Sequence, residues 1–208
     1  DAANRLDQYT SGVILVTKHA EAKRRIQESF ERREPHKAYL ALCEGIVEAD
    51  AGEIDLPIGP ALGRKHRCKM GVRQDGGGKA ALTRFRVEER FPGAQHTESP
   101  QAGASGITRP DAAGFTLVRL EPHTGRTHQL RVHLAAIGHP LVCDDRYGDP
   151  QALAFSGPAG ETVILDRYAL HAAELAFVQP MTGKPMTVEA PLAADIAAVV
   201  AVLRDKGQ

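Results

Sequence analysis

Short apolar runs, most of them bounded by turn residues, follow one another along this chain. They occupy residues 12–17, 37–43, 79–91, 115–120, 170–178 and 185–188. Runs of this length and composition predict β-strands, and strands that succeed one another through turns pair mostly antiparallel. The pattern therefore predicts an α+β fold, with a mostly antiparallel mixed sheet flanked by helices.

Three other segments have the spacing of helices. Residues 19–33 carry an apolar side chain at every fourth position with charges between them, which predicts an amphipathic helix. Residues 125–137, ended by Gly138, predict a second helix, and residues 194–204 predict a third. Residues 92–113 are rich in Pro, Gly and Ser without periodicity and predict a long mobile loop between strands.

Composition limits the class of protein. Hydrophobic residues make up 42% and charged residues 25% of the chain, which are ordinary values for a globular protein. No apolar run approaches the roughly 18 residues of a membrane span. The three cysteines, Cys43, Cys68 and Cys143, are far apart, which disfavours a disulfide framework or a structural zinc site and favours a reducing compartment. We therefore expect a cytoplasmic protein without membrane contact.

Positive charge is unevenly distributed, although the chain has 26 basic and 26 acidic residues. Residues 64–73, which include Arg64 and Lys65, contain five cations and no carboxylate. Such a concentration is typical of surfaces that bind phosphates, because each neutralised phosphate releases condensed counterions. A solvated basic loop is the alternative interpretation.

Asp7 is the carboxylate with the most informative position. It lies in a polar loop that ends at Gly12 and leads into the first predicted strand, so we expect it at the margin of the sheet, where folds present reactive groups. The alternative is a turn-forming aspartate that makes local hydrogen bonds with Thr10 and Ser11.

Arg131 lies beside the apolar stripe of the helix predicted over residues 125–137. A guanidinium at such a place keeps its charge and must find a carboxylate or reach water. Arg131 therefore either extends to the surface or holds one buried carboxylate ionised and oriented.

Two patterns resemble ligand sites but do not meet the requirements of those sites. His123, His128 and His133 are spaced by five residues, which places successive rings about 140° apart on a helix. No acidic ligands accompany them, so packing or RNA contact is favoured over metal binding. Residues 76–79 lack the spacing and the following Ser or Thr of a phosphate-binding loop. No metal site is predicted.

Five longer segments stand in a fixed order along the chain. They are RLDQYTSGVILVTK (5–18), KAYLALCEG (37–45), GKAALTRF (78–85), TGRTHQLRVHLAAIGHPLVCD (124–144) and LHAAELAFVQPMTGKPMTVEAPL (170–192). Together they resemble the RluA family of RNA pseudouridine synthases. The similarity runs from residue 4 to about 195 and implies one catalytic domain of that fold over residues 1–208, with the 92–113 loop as an insertion.

The resemblance implies three catalytic residues. Asp7 matches the catalytic aspartate of the family. Tyr39 matches the tyrosine that packs against the target uracil and is a candidate for proton transfer. Arg131 matches the basic residue that is paired with the aspartate. The implied substrate-binding residues are Arg5, which takes the space of the flipped base, Arg126 and His128 near the substrate, Leu175 as an apolar wall of the base pocket, and Arg64 and Lys65 on backbone phosphates.

The implied reaction needs few groups. Isomerisation of uridine breaks the bond between base and ribose, turns the uracil and rejoins it through carbon 5, without oxidation or an imported group, so no cofactor is expected. One carboxylate suffices, as a nucleophile or as a base that takes a ribose proton, and the sequence leaves both open. Flipping the base costs a few kcal/mol, which a planar cation and stacking on a tyrosine offset.

The chain departs from the family pattern at three places. Asn4 stands where histidine is usual, and Cys143 stands where glycine is common. Only three residues precede Asn4, whereas the catalytic domain of the family begins tens of residues earlier with strands that complete one end of the sheet. We therefore expect an N-terminally incomplete catalytic domain.

The expected function is isomerisation of specific uridines in RNA, with ribosomal RNA preferred over transfer RNA as the partner, by a monomer. A non-catalytic RNA-binding module with the same fold is the alternative. A carboxylate-dependent glycosidase is less well supported, because it needs two carboxylates about 5–10 Å apart and the sequence offers one in a convincing setting.

Overall fold

Twelve strands and three helices form the described part of the protein in the computed structural model, which comprises residues 2–62, 70–93, 97–98, 114–148, 152–157 and 160–206. The strands are β1 (Ser11–Gly12), β2 (His36–Glu44), β3 (Ala51–Asp55), β4 (Ile58–Pro60), β5 (Met70–Val72), β6 (Leu82–Pro92), β7 (Thr97–Glu98), β8 (Gly114–Pro122), β9 (Leu153–Ser156), β10 (Thr162–Leu165), β11 (Leu170–Val178) and β12 (Pro185–Glu189). The helices are α1 (Ala20–Glu31), α2 (Gln129–Ala136) and α3 (Ala194–Lys206).

A seven-stranded sheet organises the molecule. Its strand order is β1-β11-β2-β8-β6-β3, and β12 also pairs with β11. Of the strand pairs described, only β1 with β11 is parallel. Two small sheets, β10-β9-β7 and β4-β5, accompany it. The predicted α+β fold with a mostly antiparallel mixed sheet is confirmed.

The two faces of the sheet pack against different helices. On β8, Phe115 and Leu117 belong to the core cluster that includes α3, whereas Val118 and Leu120 belong to the cluster that includes α2. Side chains alternate between the faces of a strand, so a continuous apolar run places both sets in a core. A third helix, α1, covers another part of the sheet: Leu175 of β11 packs under it in a separate cluster.

The predicted strand over residues 12–17 is largely wrong. Only Ser11–Gly12 pairs with the sheet, while Ile14 and Val16 are 49% and 60% exposed. The Val13 N–H still donates to the Ala172 carbonyl at 2.9 Å, whereas residues 15 and 16 bond to residues 2–4, for example through the Ala3 N–H, which donates to the Leu15 carbonyl at 2.8 Å. The β-branched composition indicates an extended chain correctly, but it does not indicate which partner that chain takes.

The predicted helix over residues 125–137 is shorter in the structure. His128 adopts a left-handed conformation with φ 55°, which breaks the helical path, so α2 begins at Gln129. The sequence also does not predict β3, β4, β5, β9 and β10, which are short or charged. Most of the predicted loop over residues 92–113 lies outside the described residues.

The remaining predicted elements agree with the structure. The segments assigned to α1, β2, β8, β11, β12 and α3 have closely matching bounds. Within the described ranges, no helix is long and apolar enough to cross a membrane.

Candidate active site

A cleft of about 290 Å³ opens where the loop before β1, the strand β2 and the turn before α2 meet. It brings together six residues singled out in the sequence: Arg5, Asp7, Tyr39, Arg126, His128 and Arg131. The other lining residues are Leu6, Thr10, Lys37, Pro122, Thr124, Gly125, Thr127, Gln129, Leu130 and Leu170. Segments that are distant in sequence thus contribute to one cavity.

The loop of residues 5–12, called the Asp7 loop below, lies directly against β11. Gly12 has φ +109°, and a Cβ atom there would lie 2.1 Å from the carbonyl oxygen of Ala172, so only glycine fits. Next to it, Ser11 Oγ is 2.9 Å from His171 Nδ1. The Ser-Gly end of the first motif therefore has a structural explanation, because it fixes the loop to the sheet.

Asn4 holds the other end of this loop. Its Oδ1 accepts a hydrogen bond from the Leu15 N–H at 2.8 Å. Between the two anchors, the Thr10 N–H donates to the carbonyl oxygen of Asp7 at 2.9 Å and closes a turn. The asparagine at this position therefore has a defined structural role, and the half-buried Asp7 is held between two anchored segments.

Tyr39 lines the cleft from β2, where it pairs with Leu120 of β8 and Ala172 of β11. Burial, and then the negative charge of Asp7, raises the pKa of Tyr39 to about 12. The phenol therefore keeps its proton at neutral pH and can donate a hydrogen bond. Asp7 lines the same cleft.

Arg131 is buried and bonded to carboxylates. Its side chain is 3% exposed, and its Nε and Nη2 donate to the two carboxylate oxygens of Asp144 at 2.7 and 2.6 Å. Asp144 is fully buried and also accepts hydrogen bonds from the backbone N–H groups of Arg146 and Tyr147. Burial alone lowers the pKa of Arg131, but the hydrogen bonds and charge of Asp144 outweigh it, so the pKa is raised.

The carboxylate partner of Arg131 therefore differs from the one implied by the family resemblance. The prediction that Arg131 holds one buried carboxylate is confirmed, but that carboxylate is Asp144, and within the described residues no ion pair joins Arg131 to Asp7. A buried guanidinium needs a carboxylate that is equally desolvated and otherwise hydrogen-bonded. Asp144 meets this condition, whereas Asp7 lies in the open cleft.

Two aromatic rings complete the surroundings of the guanidinium. Its Cζ lies 4.1 Å from the centroid of the Tyr168 ring and 5.1 Å from that of Tyr147, distances typical of cation–π contacts. Neither Asp144 nor the two tyrosines is among the site residues predicted from the sequence. The signal for Asp144 was present, because it is the last residue of the fourth segment.

Gln129 fixes the turn that carries Arg126. Its Oε1 accepts from the Thr124 hydroxyl at 2.7 Å and from the Arg126 N–H at 3.0 Å. Its Nε2 donates at 3.0 Å to the carbonyl of Leu82 and at 3.0 Å to the hydroxyl of Thr83. The buried amide thus ties one wall of the cleft to β6.

Two histidines of the fourth segment differ in their surroundings. His133 is buried between the Thr83 hydroxyl, 2.9 Å from Nδ1, and the Leu56 carbonyl, 3.0 Å from Nε2, and burial lowers its pKa. His128 lines the cleft with its Nδ1 2.8 Å from the Tyr147 hydroxyl, and burial lowers its pKa as well, against the opposing charge of Asp7. In the described part of the chain, no three His, Cys, Asp or Glu side chains are grouped as metal ligands.

Lys37 is a cation of the cleft that the sequence analysis did not single out. Burial lowers its pKa, its ammonium lies 5.9 Å from the centroid of the Phe30 ring, and it forms no ion pair with the described carboxylates. A desolvated cation without a carboxylate is costly, so Lys37 is suited to an anion from outside the protein. Its position two residues before Tyr39 was the available signal, because i and i+2 share a strand face.

Three predicted substrate-binding residues do not belong to the described cleft. Leu175 is 2% exposed and packs with Ile26 and Phe177 beneath α1, so it does not form a wall of the cleft. The apolar lining comes from Leu6, Leu130 and Leu170 instead. Arg64 and Lys65 lie outside the described residues.

Comparison with known proteins places this cleft in a family context. A family model described as RNA pseudouridylate synthase matches residues 1–136. The ribosomal large subunit pseudouridine synthase C of Vibrio vulnificus is 35% identical over 204 residues, which are 98% of this chain and 55% of that protein. The protein of the same name from Escherichia coli K12 is 38% identical over 192 residues, which are 92% of this chain and 52% of that protein. The chain thus spans about half the length of the curated relatives it matches.

Solved structures with the same fold support this assignment. The human RNA pseudouridylate synthase domain containing 1 superimposes with a TM-score of 0.66 at 27% identity, covering 98% of this chain and 79% of that one. The human RNA pseudouridylate synthase domain containing 4 gives a TM-score of 0.66 at 22% identity, covering 98% and 75%, and shows the fold alone. The family model and the relatives together confirm the resemblance seen in the motifs, and the chain belongs to the RNA pseudouridylate synthase family.

Proposed function

We propose that the protein is an RNA pseudouridine synthase that isomerises specific uridines in ribosomal RNA, with Asp7 as its catalytic carboxylate. The observation that carries the proposal is the composition of the cleft. Among its described lining residues Asp7 is the only carboxylate, and it shares the cavity with Tyr39 and Arg131. The names of the curated relatives favour ribosomal RNA over transfer RNA as the substrate.

The charge of the cleft supports an RNA substrate. Arg5, Lys37 and Arg126 line it without an ion pair to the described carboxylates, against the single lining carboxylate of Asp7. Cations in this excess attract the phosphates of a nucleic acid strand. Arg5 is exposed and forms no hydrogen bond or ion pair with other described residues, so it is free to occupy the space left by a flipped base.

The proposed reaction conserves all atoms of uridine. The bond from ribose C1′ to uracil N1 breaks, the uracil turns, and C1′ bonds to C5, which loses a proton while N1 gains one. Asp7 begins this sequence either as a nucleophile at C1′ or as a base that removes a ribose proton.

Arg131 supplies a fixed positive charge beside this step. Within the described residues its Nε and Nη2 make hydrogen bonds and Nη1 makes none. Nη1 is therefore the donor that remains for Asp7 or for the substrate. The lasting ion pair with Asp144 keeps the guanidinium in place throughout the reaction.

Tyr39 provides a surface for the turned base. Stacking of a base on an aromatic ring is worth about 1–3 kcal/mol, which offsets part of the cost of flipping. Because its phenol stays protonated, with a pKa of about 12, Tyr39 remains neutral at neutral pH and adds no negative charge beside Asp7.

We extend the proposal to a cytoplasmic enzyme that works as a monomer. Cys43 is a free, buried thiol, which suits a reducing compartment.

The test compares the wild-type protein with Asp7→Asn on a transcript of large-subunit ribosomal RNA, with pseudouridine mapped at nucleotide resolution. The amide keeps the size of the side chain but is neither a nucleophile nor a base. We expect the rate of pseudouridine formation to fall by about a thousandfold or more, while RNA binding persists.

Two outcomes would favour other functions. A wild-type protein that binds the transcript but converts no uridine would indicate the non-catalytic RNA-binding module. Full activity of Asp7→Asn would remove Asp7 from the chemistry. The glycosidase alternative has no second carboxylate among the described lining residues of the cleft.

A further inference from the structure

Tyr168 contacts both the Asp7 loop and Arg131. It precedes β11 and is 2% exposed. Its hydroxyl accepts a hydrogen bond from the Tyr9 N–H at 3.1 Å and lies 3.4 Å from the Thr10 hydroxyl. The face of the same ring lies 4.1 Å from the Cζ of Arg131. One side chain thus spans the distance between the loop and the guanidinium.

The residue before Tyr168 strengthens the same attachment. Arg167 donates from Nη1 to the carbonyl of Tyr9 at 2.8 Å, and its Nε and Nη2 bond the carboxylate of Asp195 at 2.6 and 2.8 Å. The N–H and the carbonyl of Tyr9 are therefore held by two consecutive residues. The ring of Tyr9 also packs edge-on against Tyr168 at 6.0 Å between centroids.

We propose that Tyr168 is a positioning residue that fixes Asp7 relative to Arg131, with its hydroxyl holding the loop and its ring holding the guanidinium. The proposal rests on the proposed function of the cleft. No ion pair joins Asp7 to Arg131 in the described structure, so their relative position must be set by other contacts. Tyr168 is the side chain that makes both of those contacts.

The size of the effect follows from the geometry of catalysis. A displacement of about 1 Å of a reacting group can lower the rate about a hundredfold. Loss of one hydrogen bond to the loop leaves Arg167 in place and should loosen the loop rather than release it. Removal of the hydroxyl alone should therefore lower kcat by about tenfold. KM should stay nearly constant, because no described hydrogen bond joins Tyr168 to Arg5, Lys37 or Arg126, the cleft cations without a carboxylate partner.

The experiment uses Tyr168→Phe, which removes the hydroxyl and keeps the ring, together with Tyr168→Leu, which removes both. Steady-state kinetics on the ribosomal RNA transcript measures kcat and KM, and hydrogen exchange monitored by NMR measures the opening of the Tyr9 amide. We expect Tyr168→Phe to lower kcat with little change in KM and to speed exchange of that amide by about tenfold. Tyr168→Leu should lower kcat further, because the guanidinium also loses its ring contact.

Tyr147→Phe is the matched control for the exchange measurement. The Tyr147 ring also flanks Arg131, but its hydroxyl contacts His128 and the Met70 N–H rather than the Asp7 loop. The Tyr9 amide should therefore exchange at the wild-type rate in this variant.

The outcomes separate this proposal from the proposed function. Suppose the wild-type protein is active. An unchanged kcat in Tyr168→Phe, or an unchanged exchange rate of its Tyr9 amide, would then overturn the positioning role and leave the proposed function standing. Absence of activity in the wild-type protein would overturn the function, and the catalytic role of Tyr168 with it. If Tyr168→Leu does not fold, Tyr168→Phe alone decides.

Discussion

The Asp7 loop and the segment of residues 124–144 both line the cleft, and they are held in place by different means. In the segment around α2, polar side chains are themselves buried. Gln129 and His133 have their polar atoms bonded inside the fold, and Arg131 is bonded there through Nε and Nη2. In the Asp7 loop, backbone atoms are bonded by side chains that reach in from elsewhere, such as those of Arg167 and Tyr168.

This difference predicts that the wall around α2 is rigid and that the wall formed by the Asp7 loop can adjust. A network of buried polar groups is rigid because each broken bond leaves an unsatisfied group in a low dielectric. A loop that is attached by a few contacts can adjust when a substrate enters. We therefore expect changes in the α2 segment to affect stability first, and changes in the loop to affect catalysis more than stability.

The most severe test of the rigid wall is Asp144→Asn. The change keeps the shape of the side chain but leaves the buried guanidinium of Arg131 without its main counter-charge. We expect the free energy of unfolding to fall by about 3–5 kcal/mol, measured by urea denaturation. Asp145→Asn is the control, because Asp145 also bonds Arg131 but is 49% exposed, and it should cost less than about 1 kcal/mol. Equal effects of the two changes would contradict the rigid-wall interpretation.

The attachment of the loop is tested by Gly12→Ala. The new Cβ would meet the Ala172 carbonyl, and φ +109° is strained for any other residue, so we expect a loss of about 2 kcal/mol in stability and a larger proportional loss of activity. Gly183→Ala is the control, because that glycine also has a positive φ but nothing within 4 Å of the new atom, and it should cost about 1 kcal/mol. A fully active Gly12→Ala protein would show that contact with β11 does not position Asp7.

The open side of the cleft is tested by Lys37→Met, which keeps the length of the side chain and removes its charge. RNA affinity should fall by about three- to tenfold, and the slope of log affinity against log salt should decrease by about 0.7. Lys184→Met removes the same charge from an exposed turn outside the cleft lining and should leave the slope unchanged. Identical salt dependence of wild type and Lys37→Met would remove Lys37 from the RNA interface.

The smallest effect on stability is expected at Arg33, which lies outside both walls of the cleft. Arg33 follows α1 with φ 61°, and the Glu34 N–H donates to the Ser29 carbonyl, which is the arrangement that favours glycine. Arg33→Gly should raise the free energy of unfolding by up to about 1 kcal/mol without affecting activity. Arg32→Gly, one position earlier at φ −76°, should lower it, and a gain in that variant would contradict the explanation.

The sequence predicts the elements whose patterns are local. Apolar spacing is sufficient for α1, and β2 and β8 are identified by continuous apolar runs, because these segments are buried in the way their patterns require. The run over residues 12–17 has the same composition as a buried strand, yet Ile14 and Val16 are exposed. Strand pairing is a long-range property, and nothing local to that run encodes its partner.

The site is predictable to a different extent. The motifs bring Asp7, Tyr39 and Arg131 to one cleft because the family resemblance carries tertiary information that spacing does not. The fourth segment contains Asp144, but only the structure shows that Asp144 is fully buried and is therefore the carboxylate that pairs with Arg131. Leu175 was placed in the pocket on the same resemblance, but it lies beneath α1.

The side-chain amide of Gln129 has an acceptor oxygen and a donor nitrogen, and its neighbours match both. Two donors meet its oxygen and two acceptors meet its nitrogen. A glutamate would present oxygen to oxygen at the β6 end, and a leucine would match neither end. The orientation of the Gln129 amide therefore holds this wall of the cleft in place. Replacement by glutamate, which has the same size, would not be conservative, because it loses the two hydrogen bonds that the amide nitrogen donates to β6.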